Sequence, residues 1–285
     1  MAVDVAADPR RQLHVIDPAG RELLMSVGAA IFNLRLAIRR HGRSPVLRLS
    51  PTLPGLEYVA RIVVSAREPA TRTVREMVAA IPRRHTNRRP YSGRAVPASV
   101  ISQLKDAAAV EGAVLSVPGP GERDAVLETI RVANNQQEAD ARYRDELTFW
   151  TQPSPERADG VPRYAFGPHD PDRTMPLRDF ALTQPGVRTG QSPFEAHPKI
   201  VVLSTAGDTP KHWVRAGQAL QRVLLTASVH GVSATPMTQP LEIPDLRRLL
   251  THAYGDHAVQ MILRLGYGQA TAASPRRPLR DMLVT

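Results

Sequence analysis

Helices interspersed with strands, in a mixed α and β architecture, are what the sequence predicts, and three observations bear on that expectation. Apolar residues recur at helical spacing in Leu24, Val27, Ile31, Leu34 and Ile38, and again through an amphipathic stretch from about residue 210 to 230. Short apolar runs at residues 58–64, 199–204 and 259–265 have the length and composition of buried strands. The two amphipathic stretches also echo each other. Gly28-x-Ala30 lies 14 residues before Gly42 and Gly217-x-Ala219 lies 14 before Gly231, with Ile31, Leu36 and Ser44 matched by Leu220, Leu225 and Ser233 at equal offsets. A fused pair of related units accounts for the echo. The general likeness of two glycine-capped amphipathic helices accounts for it equally.

In chain order, the turn at Asp17-Pro18-Ala19-Gly20 precedes the first helix, which Gly42 closes in the left-handed region. Strands at 45–49 and 58–64 follow, the second nearly all apolar and so central. A helix around Val74, Met77, Val78 and Ile81 runs into an arginine-rich stretch, and another spans about 97–110. A short strand at 113–117 leads through Pro118-Gly119-Pro120-Gly121 to one long helix from Glu122 to about Trp150, a span without internal proline or glycine. Residues 151–198 hold many prolines and little periodicity, and read as a long lid-like excursion in which Arg163 is a bystander. After the strand at 199–204 and the helix at 210–230, residues 233–240 read as a loop. A short helix at 244–253, a last strand at 259–265 and a basic tail from Ser274 complete the chain.

The composition removes whole classes of function. With 285 residues the chain has room for one large domain or two small ones, at roughly 100–200 residues each. Cysteine is absent, which excludes disulfide scaffolds, thiolate nucleophiles and cysteine-held zinc. Neither a membrane-length apolar run nor the core of a signal peptide is visible, so a soluble, cytoplasmic protein is expected. The formal charge of +10 invites a nucleic-acid partner. Only three of the 37 cations are lysines, the arginines are dispersed, and no strand alternates aromatics with cations, so that partner is not expected. The histidines are scattered without a zinc motif, so no metal is expected, and no nucleophile elbow is present.

One cluster concentrates the chemistry. Arg83-Arg84-His85-Thr86-Asn87-Arg88-Arg89 packs four arginines, a histidine and a hydroxyl between a helix and a proline turn. Guanidinium groups donate in a planar, bidentate way to phosphate oxygens and a hydroxyl adds a compact donor. A small phosphorylated ligand fits such a cluster, and so does a solvated charge run at a helix end.

Arg84-His85-Thr86-Asn87-Arg88 resembles the signature of the Acg-like branch of the FMN-dependent nitroreductase superfamily. Further matches run the length of the chain: Asp17-Pro-Ala-Gly-Arg-Glu-Leu23, Ser26-x-Gly-Ala-Ala30, Ala216-Gly-Gln-Ala-Leu220, Thr235-Pro-Met-Thr-Gln-Pro-Leu-Glu242, Arg264-Leu-Gly-Tyr-Gly268 and Arg276-Arg277-Pro278. The resemblance implies an α+β fold, a mixed sheet flanked by helices, with two halves fused in one chain as a pseudo-dimer. Residues 1–82 would form a degenerate, N-terminally short first half and residues 83–285 the second, which carries the excursion at 151–198. The implied cofactor is a single FMN between the halves. Its phosphate would lie near Arg84 and Arg88, with His85 and Thr86 at phosphate or ribityl and Arg277, with Arg276, reaching in from the tail. Thr235, Pro236, Met237 and Thr238 would line the flavin ring.

Against the family pattern, Met1 falls at the strand after a segment resembling Ala-Pro-Ser-x-His-Asn-x-Gln-Pro-Trp that packs on the flavin. The resemblance therefore does not by itself imply complete FMN binding by the chain as it stands. The implied activity is NAD(P)H-driven reduction of a small aromatic acceptor, a nitroaromatic or a quinone, with the flavin as redox group and no catalytic side chain. The protein would be a monomeric pseudo-dimer or a weak homodimer. Two alternatives remain from other classes: a non-catalytic FMN-sequestering protein closed by the excursion, and a nucleic-acid binder.

Overall fold

The computed structural model describes residues 1–50, 58–154, 159–172, 174–184, 186–187, 189–255 and 257–283. Seven α-helices and seven strands are present among those residues, and the strands form two antiparallel sheets. The first sheet joins β1 (Ala2–Val5), β3 (Ala60–Arg67) and β2 (Arg43–Leu49), with β3 central as its apolar run predicts. The second has the order β4 (Val114–Ser116), β5 (Lys199–Thr205), β7 (Ala258–Gly266), β6 (Ser233–Pro236). All ladders between these strands are antiparallel. The second sheet becomes mixed only through a parallel bridge between Thr86 and Ala234.

Alternation along β5 explains the layering. Val201 and Leu203 face α3 (Ala98–Val110) and α6 (Pro210–Val229), while Ile200 and Val202 face α4 (Pro120–Ala139), Met237 and α7 (Pro244–Ala253). The sheet is covered on both faces, so β7 is buried along its whole length. The first sheet uses one face, laying Ile62 and Ala60 against Leu24, Val27 and Ile31 of α1 (Arg21–Arg40). α2 (Arg72–Ala80) starts at Thr71, whose hydroxyl accepts from the Val74 N–H, and packs Val74 and Met77 beside Phe32 and Leu36.

α1 and α6 pack directly against each other at the junction of the two sheets. A Cβ on Gly28 would stand 2.1 Å from the Val214 carbonyl oxygen, and one on Gly217 would stand 1.9 Å from that of Met25. The contact is reciprocal. Both helices are 20 residues long, and the caps Gly42 and Gly231 share a left-handed φ of 71° and 70°. The order β1–α1–β2–β3 recurs as β5–α6–β6–β7 with α7 inserted before the last strand, and the corresponding sheet orders, β1-β3-β2 and β5-β7-β6, agree.

Two expectations need correction. The long helix expected over 122–150 is two helices, because Asp140 leaves helical geometry at φ −80°, ψ 120° and its carboxylate caps α5 (Ala141–Thr151) by accepting from the Arg142 N–H at 2.9 Å. Residues 233–240 are not simply a loop. Residues 233–236 form the edge strand β6, held to β7, and a 3-10 turn, Gln239–Leu241, follows.

Candidate functional site

The arginine-rich segment leaves α2 and is captured by β6. Besides the Thr86–Ala234 bridge, the Asn87 N–H donates to the Ala234 carbonyl at 3.2 Å. Asn87 is only 3% exposed, and its side-chain amide donates to the Gln269 carbonyl at 2.9 Å while its oxygen accepts from the Arg89 N–H. Sequence reasoning gave Asn87 no role. Its buried amide fixes the direction of the flanking cations.

Arg84 is half-buried, and its guanidinium has no hydrogen bond or ion pair among the described residues. Burial lowers its pKa and the neighbouring Arg276 lowers it further. His85 lies in the same field. Its Nδ1 is buried without a partner, and burial, Arg276 and Arg84 together hold its pKa below the ordinary imidazole value. Three cationic or cation-forming groups thus stand together with no carboxylate bonded to Arg84 or His85 among the described residues, an arrangement that water or a bound anion would stabilise.

Thr86 and Arg88 look onto a cavity of about 1200 Å³. Its walls come from Thr86 and residues 88–92, from the excursion through Arg163, Tyr164 and Ser192, and from the stretch after β7 through Tyr267 and Gln269. Arg88 also holds the excursion in place. It donates from Nη1 to the Ala165 carbonyl at 2.8 Å and lies 4.4 Å from the Phe180 ring centre. Burial pushes its pKa down to about 10, with Arg178 adding to the shift. Gly167 permits this approach, since a Cβ there would meet the Arg88 Cβ at 2.8 Å on a backbone with φ +87°. On the far side Tyr164 donates to the Ala273 carbonyl at 2.7 Å, closing the excursion onto the tail. Arg163 is exposed, as expected of that stretch, yet it also lines the cavity and donates to Gln184 at 3.0 Å.

The segment 235–238 is placed differently from a ring-lining loop. Thr235 is 1% exposed, donates to the Asn87 carbonyl at 2.5 Å and lies 2.8 Å from the Tyr91 hydroxyl. Pro236 pairs with Leu263 in the sheet, and Met237 is fully buried in the core. Thr238 donates to the Glu242 carboxylate at 2.6 Å. None of the four lines the cavity. In the tail, exposed Arg276 donates to the carbonyls of Ser274 and Pro275, whereas Arg277 turns to Asp8 at 3.8 Å.

Two buried charge clusters flank this region. Arg264, fully buried, makes a bidentate pair with Glu195 at 2.5 and 2.8 Å and stacks 3.9 Å from the Tyr91 ring centre. An arginine inside the apolar run 259–265 was the available signal. Arg178 of the excursion pairs with Glu242 at 2.6 and 2.7 Å and donates to the Tyr143 hydroxyl at 2.8 Å. Nearby Glu22, bonded to Arg21 at 2.7 Å, is pushed up to about 8 by burial and by the Glu242 carboxylate.

Comparisons with known proteins place this architecture. A family model described as the nitroreductase family matches residues 81–267. A Mycobacterium tuberculosis relative named "Putative NAD(P)H nitroreductase Rv3131" is 32% identical over 292 residues, covering 99% of this chain and 83% of its own. Another from the same species, "Putative NAD(P)H nitroreductase acg", is 26% identical over 283 residues, covering 96% and 84%. Among solved structures, the FMN-dependent nitroreductase NfnB of Mycobacterium smegmatis in complex with NADPH aligns at a TM-score of 0.45 and 16% identity, over 74% of this chain and 98% of that one. The match of the family model together with similarity to the two mycobacterial relatives over nearly all of this chain establishes that the chain belongs to the nitroreductase family, in its Acg-like branch.

Proposed function

We propose that the chain is an FMN-dependent NAD(P)H oxidoreductase that reduces nitroaromatic or quinone-like acceptors. The observation that carries the proposal is the uncompensated group Arg84, His85 and Arg276, which adjoins a cavity of about 1200 Å³ through Thr86. The donor set fits a phosphate: Arg84 and Arg276 donate charge-assisted hydrogen bonds, the Thr86 hydroxyl adds a neutral donor, and the orphaned His85 Nδ1 gains a partner when protonated. Bound FMN would supply hydride acceptance from the nicotinamide and electron delivery to the acceptor. The names of the two mycobacterial relatives support the nicotinamide and the nitro acceptor.

The chain's own residues bind and enclose. Arg88 and Phe180 hold the excursion over the cavity, and the Arg264–Glu195 pair with Tyr91 stiffens its floor. The recurrence of the β1–α1–β2–β3 order supports reading residues 1–82 and 83–285 as two related halves of a monomeric pseudo-dimer.

Titration of FMN and riboflavin against Arg84→Ala and Arg142→Ala tests the proposal. Arg142 is a surface residue on α5 with its side chain 81% exposed. Arg84→Ala is expected to weaken FMN by about 10- to 150-fold, leave riboflavin nearly unchanged, and differ from Arg142→Ala throughout. Equal losses for both ligands would show that Arg84 supports the fold and does not grip phosphate.

A second reading, sequestration without turnover, is favoured by one observation: the excursion is tied down on both sides, through Arg88 to Ala165 and through Tyr164 to Ala273. Tight FMN binding with no NAD(P)H oxidation would select it.

A further inference from the structure

Away from the FMN region, α1, α2 and α6 enclose a half-open cavity of about 260 Å³ whose lining is divided by chemistry. Phe32, Leu36, Val74 and Met77 form an apolar floor, all four buried. Arg35, Arg39 and Arg222 stand around it, with Thr71 and Thr73 from the start of α2. Two of the arginines are fixed. Arg35 and Arg222 lie 5.7 and 5.9 Å from the Phe32 ring centre, and both donate to the same carboxylate, Glu111, at 2.7 and 3.1 Å. Arg35 also donates to Gln218 at 2.8 Å.

One carboxylate therefore serves two guanidinium groups, and the third is left over. Arg39 has no ion pair or hydrogen bond from its guanidinium among the described residues, although its Nε is buried; the Nε of Arg222 is likewise buried and unbonded. Two unsatisfied guanidinium donors beside an apolar floor are costly unless an anion completes them. The first N–H groups of α2, nine residues long, add positive potential from the same side.

We propose that this cavity is a binding site for a small aromatic carboxylate. The ring would lie over Phe32, Leu36, Val74 and Met77, and the carboxylate would accept from Arg39 and Arg222. The volume suits a single substituted ring and excludes a nucleotide. Because α1, α2 and α6 each supply wall residues, an occupant bridges the helices that join the two sheets. The proposal is independent of the FMN reading.

The test uses 4-fluorobenzoate with the full chain, followed by ¹⁹F NMR and by the methyl resonance of Met77 in methionine-labelled protein. Binding is expected with Kd on the order of 1 mM, which is ordinary for a ligand of this size, and with a shift of the Met77 methyl signal. Arg39→Gln should weaken it about tenfold, while Arg40→Gln, an exposed neighbour outside the cavity, should leave it unchanged. Acetate and benzyl alcohol, each with half of the chemistry, should compete poorly. No binding, an unmoved Met77 signal, equal weakening by both variants, or inorganic phosphate competing as well as the aromatic acid would each overturn the proposal.

Discussion

His85 shows how much a single residue's surroundings decide. Burial, Arg276 and Arg84 hold its folded pKa below the ordinary value of 6.5. In the unfolded chain the ring titrates near that value, so acidification charges the unfolded state first. The stability that comes from keeping His85 neutral is complete above about pH 6.5 and is lost as the pH falls below it. Thermal scans of the ligand-free protein should show Tm falling from about pH 6.5 to 5, with a shallower fall in His85→Gln. Excess phosphate should reduce that fall in the wild type, since an anion favours the imidazolium. At this scale the sequence was readable in residue type and not in direction. Arg84 and His85 were legible as cationic residue types suited to an anion, and the structure sets them in a field shared with Arg276. Thr235 and Met237 carried equally plausible identities, but β6 turns them into the interior, where one bonds to Asn87 and Tyr91 and the other fills the core. A local motif cannot show which side of a strand faces the ligand until the partner strand is known.

Helices and strands were legible wherever periodicity extended over several turns. α1, α3, α6, α7, β3, β5 and β7 all appear within a few residues of their expected positions, because each has an apolar pattern long enough to outweigh chance. β6 has four residues and ends in proline, so its strand character comes from pairing with β7 and leaves no periodic trace. The break between α4 and α5 was hidden for another reason: Asp140 is a cap, and capping residues also occur inside helices. The α1–α6 contact carries the sharpest prediction at this scale. Gly28→Ala or Gly217→Ala places a methyl group against a backbone carbonyl with no flexible side chain to yield. Each should cost about 3 kcal/mol and lower Tm by several degrees, measured by calorimetry. Gly93→Ala, with nothing within 4 Å of the added carbon, should change Tm little.

For the molecule as a whole, buried charge sets the upper side of the stability profile. Glu22 is raised to about 8 from an ordinary value of 4.5, by burial first and by Glu242 second. The folded protein therefore holds a proton that the unfolded chain releases near pH 4.5. The associated stability is full below that pH and is lost as the pH rises through about 8. Glu22→Gln keeps an oxygen for Arg21 and removes the titration. It should match the wild type below about pH 4.5 and exceed its Tm by a growing margin as the pH rises, reaching a few degrees above about pH 8. Asp208 acts at the opposite end. Burial raises its pKa, yet hydrogen bonds from Arg247, Trp213 and Gln260 outweigh that effect and hold it at about 2, so its contribution survives moderate acid.

The glycine pair at the helix crossing has a consequence for how this chain can change. In an assembly of two identical subunits every substitution at a two-fold contact arrives twice, and both copies must tolerate it. Here each side of the crossing is encoded separately. Gly28 and Gly217 make the reciprocal approach, while the residues four positions further along differ, Phe32 on one helix and Gln221 on the other. Phe32 forms the floor of the arginine-rimmed cavity, and Gln221 instead donates to Asn33 at 2.9 Å. A pocket of that kind can therefore occur once per molecule, and saturation should be reached at one equivalent of ligand per chain.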